Sequence, residues 1–425
     1  MLNIKTLFNR KGVRILGLVL CHVVYLIFGI STQINAQDKS IIITESLVNI
    51  GFENVEVFES FDTLKVFYEN RRYRFEPRAL ANVLHTIYQN FDKREVVIQV
   101  VILKDRIPVF KLLLALKDYE LYLNGTIDGQ DFLNSMLASL DVAGIKTYST
   151  ASNSSFYKVD LAVIPTWSAK FGNFDNPVES NINLIPELNS TLAKGLTFKG
   201  QIIIPVQNDF FFVAERETIR PGNITLNQFV NLSDNFYLNV TGGFFDKNRT
   251  GLNFDVKKVF IEGRFEVGAN IGFTGYSSFT GIQTEFYDKQ KYLTVLLNTQ
   301  YRYKPYDLLI RLEIGNYLFN VPAVQFEVLR QFGEVEIGFF AFASKDDYDG
   351  GFRFSIPIPP GKYMKLNWFR VRPSKAFSWK YRAKGFPQNG VTYNTGYNLT
   401  EELMDYNPDF VKKRLIIEIN KLGIN

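Results

Sequence analysis

The chain of 425 residues is 46% hydrophobic, carries 39 Phe and 22 Tyr, and has one Cys and two His. That is enough apolar material to bury a core and to fill more than one domain. The net charge of +5 belongs to the start, where Lys5, Arg10, Lys11 and Arg14 precede any acid; the remainder carries +1, which excludes a basic nucleic-acid surface.

The basic opening is followed by an apolar stretch from Ile15 to Ile30 and then by small and polar residues up to Gln37. Residues 1–36 therefore read as a signal peptide, with cleavage expected after Ala36. Cys21 lies inside the apolar run rather than at its end, which argues against a lipid anchor. Cys21 and His22 leave with the leader, so the expected mature chain is exported and has no disulfide.

Residues 38–146 read as a small α+β domain, expected in the periplasm. Thr44 to Gly51 has a Thr cap and a terminal Gly, the marks of a short helix. Val55–Phe58 and Leu64–Tyr68 form a predicted hairpin. Glu76-Pro77 opens a helix with Leu80, Val83, Leu84, Ile87 and Tyr88 on one face. A second hairpin joins Val96–Leu103 to Ile107–Leu114, and Asp128 to Leu140 reads as a closing helix. Residues 147–157 read as a polar linker.

From Lys158 to about Pro360 the chain alternates with period two, the signature of strands. Leu308, Ile310, Leu312 and Ile314 oppose Arg311 and Glu313. Phe265, Val267, Ala269, Ile271 and Phe273 oppose Glu266, Asn270 and Thr274. Thirteen candidate strands result, among them Phe279–Tyr287 and Tyr292–Tyr303. Leu296 alone breaks its strand's alternation. Strands of about 9–11 residues, joined by short turns and rimmed by Tyr and Phe, favour a membrane barrel with a greasy outside over a soluble sheet with a greasy inside. The predicted fold is thus a β-dominated antiparallel outer-membrane barrel of 12–14 strands over residues 158–360. Residues 361–425 follow as a last strand or plug around Trp368, Trp379 and Tyr381, and a helical tail over Leu399–Met404 and Asp409–Leu422.

Few residues suggest chemistry. His85 stands alone on the first domain's helix and reads as structural. Without a barrel His or Cys there is no nucleophile–His pair and no His/Cys zinc site there, and no phosphate-cradling Gly loop occurs; no cofactor is expected. Glu266, Glu313, Glu327, Glu334 and Glu336 point into the predicted lumen, beside Arg302, Arg311 and Arg353. Two such carboxylates can serve as acid and base in glycoside cleavage, but mixed charge is also what a hydrated lumen needs, and a chain that is not an enzyme is the expectation. Arg71, Arg72 and Arg74 form the densest basic patch of the first domain and are the expected contact for a partner protein or polymer.

Gly51-Phe52-Glu53-Asn54-Val55, Tyr68 through Arg74, and Arg78-Ala79-Leu80 resemble the soluble region of YjbH/GfcD-type exopolysaccharide and capsule proteins. Arg220-Pro221-Gly222 and Gly350 through Pro357 are similar to that family's barrel. The resemblance implies a barrel in outer-membrane lipid that works with polysaccharide or polysaccharide-export proteins in delivering an exopolysaccharide or capsule to the cell surface. It supplies no catalytic residues. The alternative reading is a general porin for small solutes; a lipid- or glycan-modifying enzyme is a third.

Overall fold

The computed structural model describes residues 39–147, 151–171, 177–210, 217–232, 235–280, 283–345, 347–365, 367–383 and 390–423. The expected leader and residues 148–150 of the expected linker lie outside the described residues.

The first unit is a five-stranded sheet in the order β1 (Glu53–Glu59), β2 (Thr63–Glu69), β3 (Val97–Lys104), β4 (Ile107–Ala115) and β5 (Leu137–Ser139). Helix α1 covers residues 39–50, starting earlier than Thr44, and ends at Gly51, whose φ of +115° a side chain would resist. Between the parallel strands β2 and β3 runs α2 (Glu76–Asn90), with Pro77 in its first turn and its apolar face buried. Helix α3 (Leu116–Leu123) was not anticipated. The predicted helix over Asp128–Leu140 is shorter than expected. Asp128 caps α4 (Gly129–Ser135) by accepting from the Gln130 and Asp131 amides at 2.8 Å, and the chain then extends into β5 beside β4.

The expected linker is no free tether where it is described. Ser152 bridges to Val55, Asn153 donates to the Phe52 carbonyl at 2.7 Å, and Phe156 bridges to Thr191.

The second sheet has fourteen strands. Twelve follow one another antiparallel: β6 (Val159–Phe171), β7 (Val178–Ala193), β8 (Leu196–Asn208), β9 (Arg220–Asn231), β10 (Phe236–Phe245), β11 (Arg249–Phe260), β12 (Phe265–Thr280), β13 (Gln283–Tyr303), β14 (Leu308–Tyr317), β15 (Val321–Phe332), β16 (Val335–Ser344) and β17 (Tyr348–Pro357). The predicted strand Phe279–Tyr287 is not separate: its residues are shared between the end of β12 and the start of β13. That removes one strand from the thirteen. The chain supplies another passage later, as β18 (Phe369–Pro373) and β19 (Ala376–Arg382), where a strand or plug was expected. β18 pairs parallel with β6, and β19 pairs antiparallel with β17. The two ends of the strand order are therefore consecutive stretches of one segment, joined by Ser374-Lys375.

The faces of this sheet are inverted relative to a water-soluble protein. Asn227, Asn239, Thr241, Lys257, Thr274 and Arg302 are buried, whereas Phe339 is 67% exposed, Phe273 57% and Leu297 56%. Register follows the alternation: Leu312 lies between Thr299 and Phe326, and Arg311 between Gln300 and Glu327. Leu296, the exception in its strand, turns inward and packs with Tyr317, Ala323 and Phe342.

Two helices complete the chain, α5 (Leu399–Met404) and α6 (Pro408–Lys421). Leu399, Leu403, Val411, Leu415 and Ile419 join one continuous core with the first unit and with Phe229, Tyr237 and Val259 of the large sheet. The first unit is thereby fixed to one end of the sheet by apolar packing.

Candidate functional site: a tail inside a polar interior

The residues from Val391 to Asp405 run along the polar face and touch strands on every side. The Leu318 amide donates to the Val391 carbonyl at 3.2 Å. Tyr393 donates its hydroxyl to Asn253 at 2.8 Å and lies 3.3 Å from the Thr294 hydroxyl. Lys199 donates to the Gly396 carbonyl at 2.6 Å, and Thr197 bonds the Tyr397 hydroxyl at 3.0 Å. The Leu399 amide donates to Asp255 at 3.0 Å. Contacts of one short segment with β8, β11, β13, β14 and β17 require the sheet to curl around it.

The strands are shaped for this segment. A Cβ on Gly272 would stand 1.5 Å from the Tyr393 hydroxyl, so the absent side chain is what admits the ring. Asn398 caps α5 by accepting from the Glu401 amide at 3.2 Å. Asn407 accepts from the Phe410 amide at 3.2 Å to cap α6, and donates to the Gly263 carbonyl at 2.7 Å, tying the tail to a sheet turn.

Four of the eight predicted lumen residues meet in this interior around Glu401, a residue the sequence reading did not single out. Arg311 reaches Glu401 at 3.0 Å and Glu327 at 3.3 Å. Arg353 reaches Glu327 at 2.9 Å, Glu401 at 3.3 Å and Glu336 at 3.5 Å. Glu313 stands nearby and accepts from Tyr317 at 2.9 Å rather than joining an ion pair with these arginines. Glu266 pairs with Lys257 at 3.2 Å, and Lys257 also donates to Thr400 of the tail. Arg302 donates twice to Gln331 at 3.1 Å and lies over the Phe410 ring of α6. Glu334 lies in the turn between β15 and β16, where it binds Arg74 at 2.5 Å. Buried charges of both signs in contact satisfy one another where isolated ones would be costly.

Arg71 and Arg74 of the predicted basic patch are engaged within the molecule. Arg71 reaches Asp105 at 2.6 Å, Glu69 at 2.7 Å and Asp160 of β6 at 3.7 Å. Arg370 of β18 binds Asp160 at 2.5 Å and also pairs with Glu53. Arg74 holds Glu334 and the Ile358 carbonyl. Arg72 lies against Gly51, and its backbone carbonyl accepts from Tyr363 at 2.8 Å. Arg71 and Arg74 thus join the first unit to the sheet instead of presenting a free docking surface. Burial alone would raise Asp105, but Lys104 and Arg71 hold it down to about 2. Glu76, at the start of α2, is pushed up to about 7 by burial, against hydrogen bonds from Asn70 at 3.0 Å and Tyr68 at 2.7 Å. His85 lies half-buried on α2, and burial lowers its pKa.

Beside the tail remains a cavity of about 860 Å³, bounded by Asn253, Asn270, Asn298, Glu336, Arg353 and Lys380 among others. Among the described residues no group of three or more His, Cys, Asp or Glu is set to hold a metal ion.

The expectation that the chain is not an enzyme is corrected here. It rested on the missing barrel His and Cys and on reading the lumen carboxylates as part of a balanced charge network, but acid–base chemistry by carboxylates needs neither His nor Cys. The interior gathers Glu313, Glu336 and Glu401 beside the cavity, so an enzyme stays among the readings.

No family model and no curated protein matches this chain. Among solved structures it is similar to OmpT (in-vitro folded), an outer membrane protein of Vibrio cholerae, at 12% identity over 46% of this chain and 80% of that one, with a TM-score of 0.25. That outer-membrane neighbour does not restore the non-enzyme expectation, and the likeness is too slight to assign fold or function to this chain.

Proposed function

We propose that the large sheet is a barrel spanning a bacterial outer membrane, with the first unit in the periplasm, and that the protein assists export or surface assembly of an exopolysaccharide or capsule. The observation that carries the membrane reading is the inverted burial: the outward face is a belt of Leu, Ile, Val and Phe, and the inward face is amide, hydroxyl and ion pair. Hydrocarbon accepts such a belt, whereas water would drive it into a core. No helix among the described residues is long and apolar enough to cross a membrane, so strands are the crossing elements in this reading.

Closure runs through the segment Phe369–Arg382, which hydrogen-bonds to the first strand with one half and to the twelfth with the other. Thirteen passages then make the ring, with the first and last parallel. In this reading the end of the barrel that holds the first unit, at 194–195 and 333–334, faces the periplasm with it.

A general diffusion porin needs a continuous lumen. Here the tail occupies it and is anchored at both ends, which supports an assisting role at the membrane over passive solute diffusion. The exopolysaccharide itself rests on the resemblance around Tyr68–Arg74 and Gly350–Pro357. The test compares cells lacking the protein with complemented cells, measuring extracted surface polysaccharide and confirming the folded barrel on a heat-modifiability gel. Loss of polymer restored by complementation is expected; unchanged polymer would overturn the reading.

A further inference from the structure

The wall of the sheet has one seam that hydrogen bonds do not close. β18 pairs with β6 from Phe369↔Val159 to Pro373↔Val163, and the Ser374 amide makes the last bond, to the Val163 carbonyl at 3.2 Å. Beyond it β6 continues from Ile164 to Phe171, and β19 runs beside it with Cα atoms within 8 Å. Yet among the described residues β19 forms its ladder with β17 only, and β6 with β18 and β7 only. Ser374-Lys375 inserts a step that takes β19 out of register with β6, and Pro165 has no N–H to offer. What bridges the seam is aromatic: Trp167 stacks on Trp379 at 5.2 Å, with Phe171, Phe352 and Tyr381 packed around them. Aromatic contacts can part there without breaking any backbone ladder.

The interior cavity reaches this seam. Its boundary includes Ile164 on β6 and Ser378, Trp379 and Lys380 on β19, residues from the two sides of the seam. Of the acids at its boundary, Glu334, Glu336, Glu401 and Asp405 are paired with Arg74, Arg353, Arg311 and Lys375, whereas Asp255 and Glu313 make no ion pair among the described residues.

From this geometry we infer that the β6–β19 seam is a lateral entry through which a membrane amphiphile inserts, its acyl chain crossing between Trp167 and Trp379 and its amine-bearing head lodging among the interior carboxylates and amides. This inference rests on the membrane-barrel reading. Asp255 and Glu313 at that boundary favour a cationic amine and disfavour a bare phosphate. No covalent step is involved.

The probe is lysophosphatidylethanolamine with a diazirine on its acyl chain, added to vesicles of phosphatidylcholine that hold the full chain. Cross-linked residues are mapped by mass spectrometry. The variant Thr166→Cys/Ser378→Cys, made with Cys21→Ser, places a disulfide across the seam at the inward neighbours of the two tryptophans. Expected is labelling of inward residues such as Ile164 and Asn298, lost on oxidation of that variant, regained on reduction, and weaker with lysophosphatidic acid bearing the same chain. Labelling confined to outward residues such as Leu312 and Phe326, unaffected by the disulfide, overturns lateral entry while leaving the barrel intact. Equal interior labelling by both probes overturns the amine assignment. Failure to label Leu312 and Phe326 at all would remove the membrane reading itself.

Discussion

Leu312 and Tyr303 provide a paired test of which medium the outer face meets. Both point outward, and they are almost equally exposed, at 40% and 42%. They differ in depth. Thr299 pairs with Leu312 and Tyr303 with Leu308, so four residues separate their levels along the strands. At about 3.4 Å per residue this is about 14 Å along the strand, or about 10 Å along the membrane normal for a tilt of about 40°. Leu312 then sits near the middle of the apolar band and Tyr303 near its rim. Leu312→Arg should cost about 2–4 kcal/mol and Tyr303→Arg about 0–1 kcal/mol. A sheet facing water has no depth axis, and two exposed sites would each change stability by roughly 0.5 kcal/mol or less. Urea titration of each variant folded into phosphatidylcholine vesicles, followed by gel mobility without heating, reads the difference. Equal midpoints for the two variants would refute the assignment of the outer face to lipid.

Three further outcomes follow from the interior and the joint. Arg71→Leu leaves buried Glu69 without its cation, while Asp105 keeps Lys104 and Asp160 keeps Arg370, and should destabilise the joint by about 3 kcal/mol, seen as a lower unfolding midpoint of the first unit, with the barrel still resistant on an unheated gel. The carboxyl of Glu76 titrates near 4.5 unfolded and about 7 folded, so its favourable contribution is full below pH 4.5 and is lost as pH rises through 7. The difference is about 3 kcal/mol, and Glu76→Gln should flatten it in unfolding curves taken between pH 4.5 and 7.5. Gly272→Ala should push Tyr393 out of its seat and expose residues 390–398 to proteinase K, whereas the wild-type tail resists cleavage.

The strand faces were legible because period-two alternation survives in any sequence that separates two media. Arg311, Glu313, Glu327 and Arg353 were placed on one face by it, and in the structure Arg311 and Arg353 both bind Glu327. The strand Phe369–Arg382 was only half legible, since Ser374-Lys375 breaks the alternation at the step where its pairing changes partner. The interior tail left almost no signal. Thr392 through Asn398 has the composition of a solvated loop, and its partners Asn253, Gly272 and Thr294 lie more than a hundred residues earlier or nearly so. Gly272 lies within the alternating run Phe265–Phe273, but nothing local says which ring it admits. The arginine cluster misled for a related reason: Arg74 finds Glu334 at a sequence separation of 260, and Arg71 finds Asp160 on another unit. Charge density shows in a sequence; the intramolecular partner that consumes it does not.

Conductance across a planar bilayer tests the central claim, a membrane-spanning barrel filled by its own tail. The full chain should insert and remain closed to ions, while a chain ending at residue 389 should conduct once folded, because the segment contacting β8 through β17 is gone. A full chain that conducts like an open pore, or a folded truncated chain that stays silent, would contradict the account.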